Sequence, residues 1–323
     1  MINLRIIVNK IFAAVGITAV VTSGCQNLPQ QGSAPIANPI VNKMPMSDKN
    51  GLIAYVEEAG VGAAKVSSLY TISPDGSNRK LIDRLNGYIY APAWSADGQL
   101  LAYSKQAPRQ SPKIYLYDVK SSSHKLVVNT EGSNLSASFS PDGQKLLYSS
   151  TAGGNADIYE MRLSDGHTKQ LTTLPSTEVQ PSYASDGQSF VYTSDKVRAG
   201  RPRLYRQYLT ADGKVGRVVP IATTGYAASP MVSLDGSKLG FLNGKQAAVM
   251  TLSSAQVVNL GNTGLDEPAR LSPSGQYAVY PMQNAAINGQ TGSSLVIRSL
   301  AGGGGYTISS KTGGVIRAPS WGR

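Results

Sequence analysis

Apolar residues in this chain come in short runs, many containing an aromatic residue, and tight polar turns separate them. A clear example is the pair 137–139 and 146–149, joined by the turn Ser140-Pro141-Asp142-Gly143. Asp-Gly between two such runs predicts a β-hairpin, because glycine adopts positive φ without steric cost and Asp tolerates the left-handed region. Beyond the first 24 residues, no long window keeps the 3.6-residue apolar period of a helix. The pattern therefore predicts an all-β chain.

The same hairpin pattern recurs along the chain at a nearly constant spacing. Successive turn glycines are 45, 44, 49 and 39 residues apart, and an aromatic residue stands five positions after each. A period of 40 to 50 residues with four short strands per unit is typical of β-propeller blades. Asp precedes the glycine in four copies, and Ser274 takes its place in the fifth. The glycines are Gly98, Gly143, Gly187, Gly236 and Gly275, and the aromatic residues are Tyr103, Tyr148, Tyr192, Phe241 and Tyr280.

The two ends of the chain supply the parts of one more unit. Residues 318–322 match a first strand, whereas 50–55, 69–72 and 80–82 match the second, third and fourth strands of a blade. Pairing of the carboxyl-terminal strand with the amino-terminal three would close a ring and remove the open sheet edges. We therefore predict an all-β, six-bladed β-propeller with four-stranded antiparallel blades over residues 50–323.

The repeat Pro-x-Trp/Phe-Ser-Pro-Asp-Gly, followed by an aromatic strand, resembles the signature of the TolB-type propeller family. Pro92 to Gly98 and Ala137 to Gly143 carry it most clearly. The resemblance covers residues 50–323 and is specific for the fold but weak for function. The protein after which the family is named carries an α/β domain before its propeller, for which residues 26–49 are too short. The resemblance implies a TolB-like protein of the bacterial cell envelope.

The amino terminus has the features of a secretion signal. Arg5 and Lys10 precede an apolar stretch, 11–21, that is too short to span a bilayer. Thr22-Ser23-Gly24-Cys25 resembles the lipobox of bacterial lipoproteins, which implies cleavage after residue 24 and acylation of Cys25, including palmitate. An ordinary signal peptide followed by a chance cysteine is the alternative.

Further expectations concern the anchored protein and its place in the envelope. Residues 25–49 are rich in Gln, Asn, Pro and Ser, which predicts a flexible tether. Gln26 stands where Asp commonly signals inner-membrane retention, so the resemblance implies an outer-membrane lipoprotein facing the periplasm.

The chain is basic, and this bears on its partners. Its formal charge is +11, or +9 without Arg5 and Lys10. A basic balance favours anionic partners such as an acidic protein face, lipid headgroups or lipopolysaccharide. Nucleic acid would fit the charge but not the compartment, so we expect no nucleic-acid partner.

The residues that could carry chemistry are few. His124 and His167 fall in polar turns at the blade periphery, and the Asp residues before the turn glycines are expected to form turns. Trp94, Phe139, Tyr183 and Trp321 occupy matching positions and suit blade packing, or alternatively a ligand-stacking ring. We expect no catalytic residue, no cofactor and no metal. The alternative is a propeller enzyme of the lactonase or polysaccharide-lyase kind, with carboxylates and amides holding a metal in the channel.

The connections between second and third strands remain as the candidate binding site. Two of them are basic, and they emerge on the same side of a propeller as the connections between blades. We predict a monomeric, non-enzymatic scaffold that docks an envelope protein or peptide on this side, and we expect the polar segment 282–294 to cover part of the channel mouth. The candidate binding residues are Lys105, Arg109, Lys113, Lys196, Arg198, Arg201 and Arg203.

Overall fold

The computed structural model describes residues 39–323, apart from 211, 288, 289 and 303. Six four-stranded antiparallel sheets follow one another around a ring, which confirms the predicted six-bladed β-propeller. Within residues 39–323, no helix is both long enough and apolar enough to cross a bilayer.

Each blade is named here by its order from the amino terminus, and its strands are given from the inner to the outer one. Blade 1 comprises β24 (Val315–Trp321), β1 (Ile53–Ala59), β2 (Val66–Ile72) and β3 (Lys80–Asn86). Blade 2 comprises β4 (Tyr88–Trp94), β5 (Leu100–Gln106), β6 (Lys113–Asp118) and β7 (Ser123–Val128). Blade 3 comprises β8 (Asn134–Phe139), β9 (Lys145–Ser150), β10 (Asp157–Arg162) and β11 (Thr168–Gln170). Blade 4 comprises β12 (Glu178–Tyr183), β13 (Ser189–Ser194), β14 (Arg203–Leu209) and β15 (Val215–Pro220). Blade 5 comprises β16 (Ala227–Val232), β17 (Lys238–Asn243), β18 (Gln246–Thr251) and β19 (Gln256–Asn262). Blade 6 comprises β20 (Arg270–Leu271), β21 (Tyr277–Ile287), β22 (Gln290–Ser299) and β23 (Gly305–Ser309).

The carboxyl-terminal strand closes the ring. In blade 1, β24 pairs antiparallel with β1, so that Ile53 lies opposite Trp321 and Ala54 opposite Ser320. The peptide N–H of Gly322 also donates to the carbonyl of Leu52 at 2.9 Å. The prediction that the two ends of the chain share one blade is confirmed.

Hydrogen bonds explain why the Ser-x-Asp-Gly turns form. In blade 2, the Asp97 carboxylate accepts from the Ser95 hydroxyl at 2.6 Å and from the Gln99 N–H at 3.0 Å. The same Asp-centred turn recurs in blades 3 and 5 around Asp142 and Asp235. These bonds favour the ionised carboxylates, and the hydroxyl of Ser95 is the largest cause of the lowered pKa of Asp97. The predicted turn-forming role of these Asp residues is confirmed.

The inner strands carry a bulge at one matched position. Five of the six residues there have a positive φ between 44° and 57° without being glycine. A left-handed non-glycine residue costs about 1–2 kcal/mol, so the surrounding hydrogen bonds must hold it. In blade 4, the N–H of Gln180 donates to the Ser149 hydroxyl of blade 3 at 2.9 Å. The five residues are Ala91, Ser136, Gln180, Ser229 and Ala318, and Pro268 occupies the sixth position.

The core lies between neighbouring blades. The aromatic residues that follow the turn glycines are buried, and Tyr103, Tyr148, Tyr192 and Phe241 are among the largest fully buried side chains. Each apolar cluster of appreciable size draws on two adjacent blades, for example blades 4 and 5 around Phe241 and Val191. Blade-to-blade packing of this kind is what the repeat predicts.

Two segments differ from the sequence-based expectations. Residues 39–49, expected to belong to the tether, form the short helices α1 (Pro39–Lys43) and α2 (Met46–Lys49), because Met44 and Asp48 find buried positions on the propeller. The segment 282–294 was expected to be a loop, but β21 and β22 continue through it as a paired hairpin. The predicted signal peptide, Cys25 and the tether residues 26–38 lie outside the described residues.

Candidate functional site

A channel runs along the axis of the ring. It has a volume of about 650 Å³ and is lined by the inner strands of all six blades. We call the side with the second-to-third-strand connections and the blade-to-blade connections the loop face, and the opposite side, with the Asp-Gly turns, the turn face. The lining extends from Lys65 and Tyr88 at the loop face to Pro141 and Pro273 at the turn face.

The channel wall is made of hydroxyl and aromatic side chains. Ser138 of blade 3 accepts from the Tyr183 N–H of blade 4 at 3.2 Å, and Ser182 does the same for Val232 of blade 5 at 3.1 Å. The four matched aromatic residues all contribute to the lining, and three of them are also less than one-tenth exposed. They therefore pack between the blades and also border the channel, so blade packing is observed and the ligand-stacking ring stays a prediction. These residues are Trp94, Phe139, Tyr183 and Trp321.

Charged side chains are concentrated on one part of this wall, between blades 6 and 1. The Lys65 ammonium lies 2.6 Å from the Glu58 carboxylate, and Arg317 lies 3.8 Å from Glu58 and 3.6 Å from Glu267. Burial raises the pKa of Glu267, and the nearby Arg317 and Arg270 oppose this rise. Burial also lowers the pKa of Arg270 to about 10, and its guanidinium donates to the Ser229 carbonyl at 2.9 Å. In this group, the three cations Lys65, Arg270 and Arg317 face the two carboxylates of Glu58 and Glu267.

Three of the seven predicted binding cations are engaged within the fold. Lys105 forms an ion pair with Asp83 at 2.9 Å, and Arg203 donates to the Thr223 carbonyl at 2.8 Å. The Lys196 ammonium lies 3.9 Å from the ring centre of Tyr205. These contacts hold the bases of the two connections in place, because each cation binds a neighbouring strand or blade connection.

The remaining predicted cations are more accessible to a binding partner. Arg109, Arg198 and Arg201 are exposed, and Lys113 is half-buried. The two basic connections belong to blades 2 and 4, with the uncharged connection of blade 3 between them. The structure therefore places the predicted residues on one face but as two separate patches.

Two further cations on the loop face were missed in the sequence. Lys245 stands in the tight turn between β17 and β18, and Lys311 in the connection from blade 6 to blade 1; both are exposed. A single lysine in a short connection gives no sequence signal, since its place on the ring is known only once the blades are assembled. In the described loops of this face, six exposed cations then surround the mouth, against the exposed acids Glu131 and Asp266. The cations are Arg109, Lys196, Arg198, Arg201, Lys245 and Lys311.

Three buried carboxyl groups lie beneath the basic connection of blade 4. The Asp195 carboxylate accepts from the Thr177 N–H at 3.0 Å and from the Gly200 N–H at 2.8 Å, which shapes this connection. One oxygen of Glu178 accepts from the Ser194 hydroxyl at 2.8 Å, and the other has no hydrogen-bond donor. Asp157 is within hydrogen-bonding reach of Glu178. Burial, reinforced by the nearby Asp157 and Asp195, raises the pKa of Glu178.

The raised pKa of Glu178 predicts a pH-dependent stability. Between the ordinary Glu pKa of 4.5 and its raised folded value, the folded protein binds more protons than the unfolded chain, so stability falls as pH rises through this window. Glu178→Gln removes this ionisation and offers an N–H to Asp157. We expect the variant to be more stable than the parent at pH 8 by about 1 kcal/mol, with a smaller difference at pH 5. Urea unfolding at both pH values measures this, with the exposed Glu131→Gln as the control. An unchanged pH slope in Glu178→Gln would contradict the assignment.

Among the described residues, no group of three or more His, Cys, Asp or Glu side chains is arranged to hold a metal ion. His124 and His167 are both exposed at the periphery, as expected, but only His167 lies in a turn. His124 belongs to the outer strand β7, where its Nδ1 atom lies 2.8 Å from the Tyr103 hydroxyl. The enzymatic alternative stays a prediction from the sequence. The described residues add no group of candidate metal ligands to it.

These features define the class of the protein: a closed six-bladed propeller with an axial channel that opens among basic loops. The family model described as the TolB beta propeller domain matches residues 49–323, and the chain belongs to this family.

Curated relatives and solved structures are also similar to this chain. The chain is 31% identical to the Tol-Pal system protein TolB of Bordetella pertussis over 272 residues, and equally to that of Bordetella bronchiseptica. The match covers 84% of this chain and 59% of each relative, so the chain spans less than two thirds of their length.

The crystal structure of TolB from Acinetobacter baumannii superposes with a TM-score of 0.74 at 29% identity, covering 85% of this chain and 67% of that one. A nidogen/laminin complex shows the same fold at 9% identity, with a TM-score of 0.60 and coverage of 85% and 99%.

Proposed function

We propose that this protein is a non-enzymatic docking scaffold of the bacterial cell envelope, and that an envelope protein binds its loop face through an acidic segment at the channel mouth. The observation that carries the proposal is the excess of exposed cations over exposed acids in the described loops around this mouth. Complementary charge steers a partner to one face and fixes its orientation. The engaged cations Lys105, Lys196 and Arg203 hold the loops in shape, while Arg109, Arg198 and Arg201 meet the partner.

The relatives support an envelope location and a role in protein binding. The relatives named above are components of the Tol-Pal system by name. Because this chain spans only part of their length, their partners are not transferred to it. The proposal for this chain rests on its own loop face.

The proposal includes a lipid anchor at Cys25, an outer-membrane location facing the periplasm, and a monomeric state. The anchor is supported by the lipobox-like residues 22–25, and the outer-membrane location by the Gln that follows the cysteine. Acyl chains stabilise membrane association by about 0.8 kcal/mol per buried CH₂, so two or three chains anchor a protein firmly.

Charge neutralisation on the loop face is expected to weaken partner binding. The variant Arg109→Gln/Arg198→Gln/Arg201→Gln removes three exposed cations, each contributing about 0.5 kcal/mol at low salt. Capture of the partner from cross-linked envelopes should fall about tenfold, and raising the salt concentration should weaken capture by the parent protein. Size-exclusion chromatography of the purified chain reports the oligomeric state.

The matched control is Lys120→Gln/Lys125→Gln/Lys214→Gln, which removes three exposed cations away from the loop face. It should capture the partner like the parent. Equal capture by the loop-face variant, or no envelope protein captured by the parent, contradicts the docking proposal. A Cys25→Ser arm tests the anchor separately, since this variant should leave the membrane fraction.

A further inference from the structure

The Asp-Gly turns of the blades depend on a carboxylate that blade 6 does not have. In blade 5, the Asp235 carboxylate accepts from the Ser233 hydroxyl at 2.5 Å and from the Ser237 N–H at 3.0 Å. The corresponding turn of blade 6 is Ser272-Pro273-Ser274-Gly275, with serine at the Asp position. The Ser274 hydroxyl accepts from the Gln276 N–H at 3.1 Å, but it lies 3.4 Å from the Ser272 hydroxyl, a much longer contact than the one Asp235 makes with Ser233.

Asp48, from a distant part of the sequence, provides the missing carboxylate. Its side chain accepts from the Ser272 hydroxyl at 3.0 Å and from the Ser274 N–H at 2.9 Å, and it also accepts from the Ser274 hydroxyl. Asp48 is fully buried. A buried carboxylate with several donors is strongly held, because hydrogen bonds to a charged group are about twice as strong as neutral ones.

The residues around Asp48 fix it in place. Met44 is 4% exposed and packs in a cluster that contains Tyr277 and Leu295 of blade 6 and Ile53 and Trp321 of blade 1. On the other side, a Cβ atom at Gly51 would lie 2.2 Å from the carbonyl oxygen of Gly322, so the chain passes the closing strand in contact with it. Residues 39–50, here called the strap, therefore touch both blades that flank the point of closure.

We propose that the strap is a clamp that completes the turn of blade 6 with the Asp48 carboxylate and thereby ties the amino-terminal segment to the turn face, across the junction of blades 6 and 1. Serine at position 274 and aspartate at position 48 form one functional unit, in which the strap supplies what the turn lacks. A strap released from the turn would leave blade 6 with an incomplete turn beside the closing blade. The clamp is independent of the loop-face docking site, which lies on the opposite side of the ring.

The test is an exchange of the carboxylate between the two positions in the full chain. Asp48→Ser alone should increase the unfolding equilibrium constant about tenfold or more, because the donors of the turn lose their charged acceptor. Ser274→Asp alone should also destabilise, since two carboxylates would share one set of donors. The double variant Asp48→Ser/Ser274→Asp should recover most of the stability, because its turn then matches those of blades 2, 3 and 5. Urea unfolding of the parent, the two single variants and the double variant gives the coupling free energy between positions 48 and 274.

A second measurement separates the clamp from ordinary packing. In both Asp48→Ser and the double variant, the strap should be cleaved faster by limited proteolysis than in the parent, although only the single variant has a weakened ring. The stability losses of the control pair Asp48→Ser and Asp142→Ser should be additive, because Asp142 serves the same kind of turn in blade 3, on the far side of the ring from blade 6. Additive losses in the exchange pair, or an unchanged strap cleavage rate, would overturn the proposal. If Asp48→Ser fails to fold, Asp48→Asn provides a milder first step in the same cycle.

Discussion

Trp321→Ala is expected to destabilise the propeller by about 3–5 kcal/mol, the usual cost of deleting a large buried aromatic side chain. Trp321 is 3% exposed and lies opposite Ile53 in the strand pair that closes the ring. Its ring also packs against Tyr277 of blade 6, with 6.4 Å between the ring centres. The substitution thus removes contacts within the closing blade and between blades 6 and 1 together.

The matched control is Trp94→Ala, which deletes the same side chain from the same position of blade 2. Trp94 is only half-buried, and its indole N–H donates to the Ser320 carbonyl at 3.3 Å. Its loss removes a contact with the closing strand but leaves the β24–β1 pairing and the buried Trp321 in place, so we expect a smaller effect. Urea unfolding followed by circular dichroism measures both. A loss for Trp94→Ala equal to or above that for Trp321→Ala would contradict the expectation that the buried residue of the closing pair is the more sensitive of the two.

Glu57→Ala is expected to have a similar effect, about 3–5 kcal/mol, because it leaves a buried network without its anion. The Glu57 carboxylate is 2% exposed; it pairs with the Arg79 guanidinium and accepts from the Thr312 hydroxyl at 2.6 Å. Arg79 in turn donates to the Tyr55 hydroxyl at 2.8 Å and lies 3.6 Å from the ring centre of Tyr70. Glu57 therefore joins strands β1 and β2 to the connection that arrives from blade 6.

An exposed ion pair provides the comparison for Glu57. Lys214 and Asp212 lie 2.7 Å apart, with side chains 76% and 54% exposed, so Lys214→Ala should change stability by less than about 1 kcal/mol. Thermal unfolding of both variants at neutral pH tests the contrast. A Glu57→Ala protein as stable as Lys214→Ala would mean that the connection from blade 6 is held by other contacts.

The fold was predictable from the sequence because local and global signals agree. The Asp-Gly turns of blades 2, 3 and 5 use the same residues for the same hydrogen bonds, and a buried aromatic residue follows each turn glycine at a constant distance. The half-units at the two ends then determine how the ring closes. Ser274 was visible as an exception to the repeat, but its partner Asp48 lies 226 positions away, and no local pattern links the two.

The candidate site was less predictable, because the availability of a charge depends on neighbours across strands. Lys105 belongs to a basic run in the sequence, yet its partner Asp83 comes from the outer strand of the preceding blade. Lys245 and Lys311 are isolated in the sequence and become part of one face only through the ring. The charges of the channel wall, such as Arg270 and Glu267, likewise come together from the packing of blades 5, 6 and 1.

The chain enters the ring beside Gly51, on the turn face, whereas the exposed cations lie at the opposite pole. A protein seated on the cations would therefore leave the strap and the point of ring closure uncovered. The two ends of the propeller axis are separate surfaces, one covered in part by the strap and the other surrounded by positive charge.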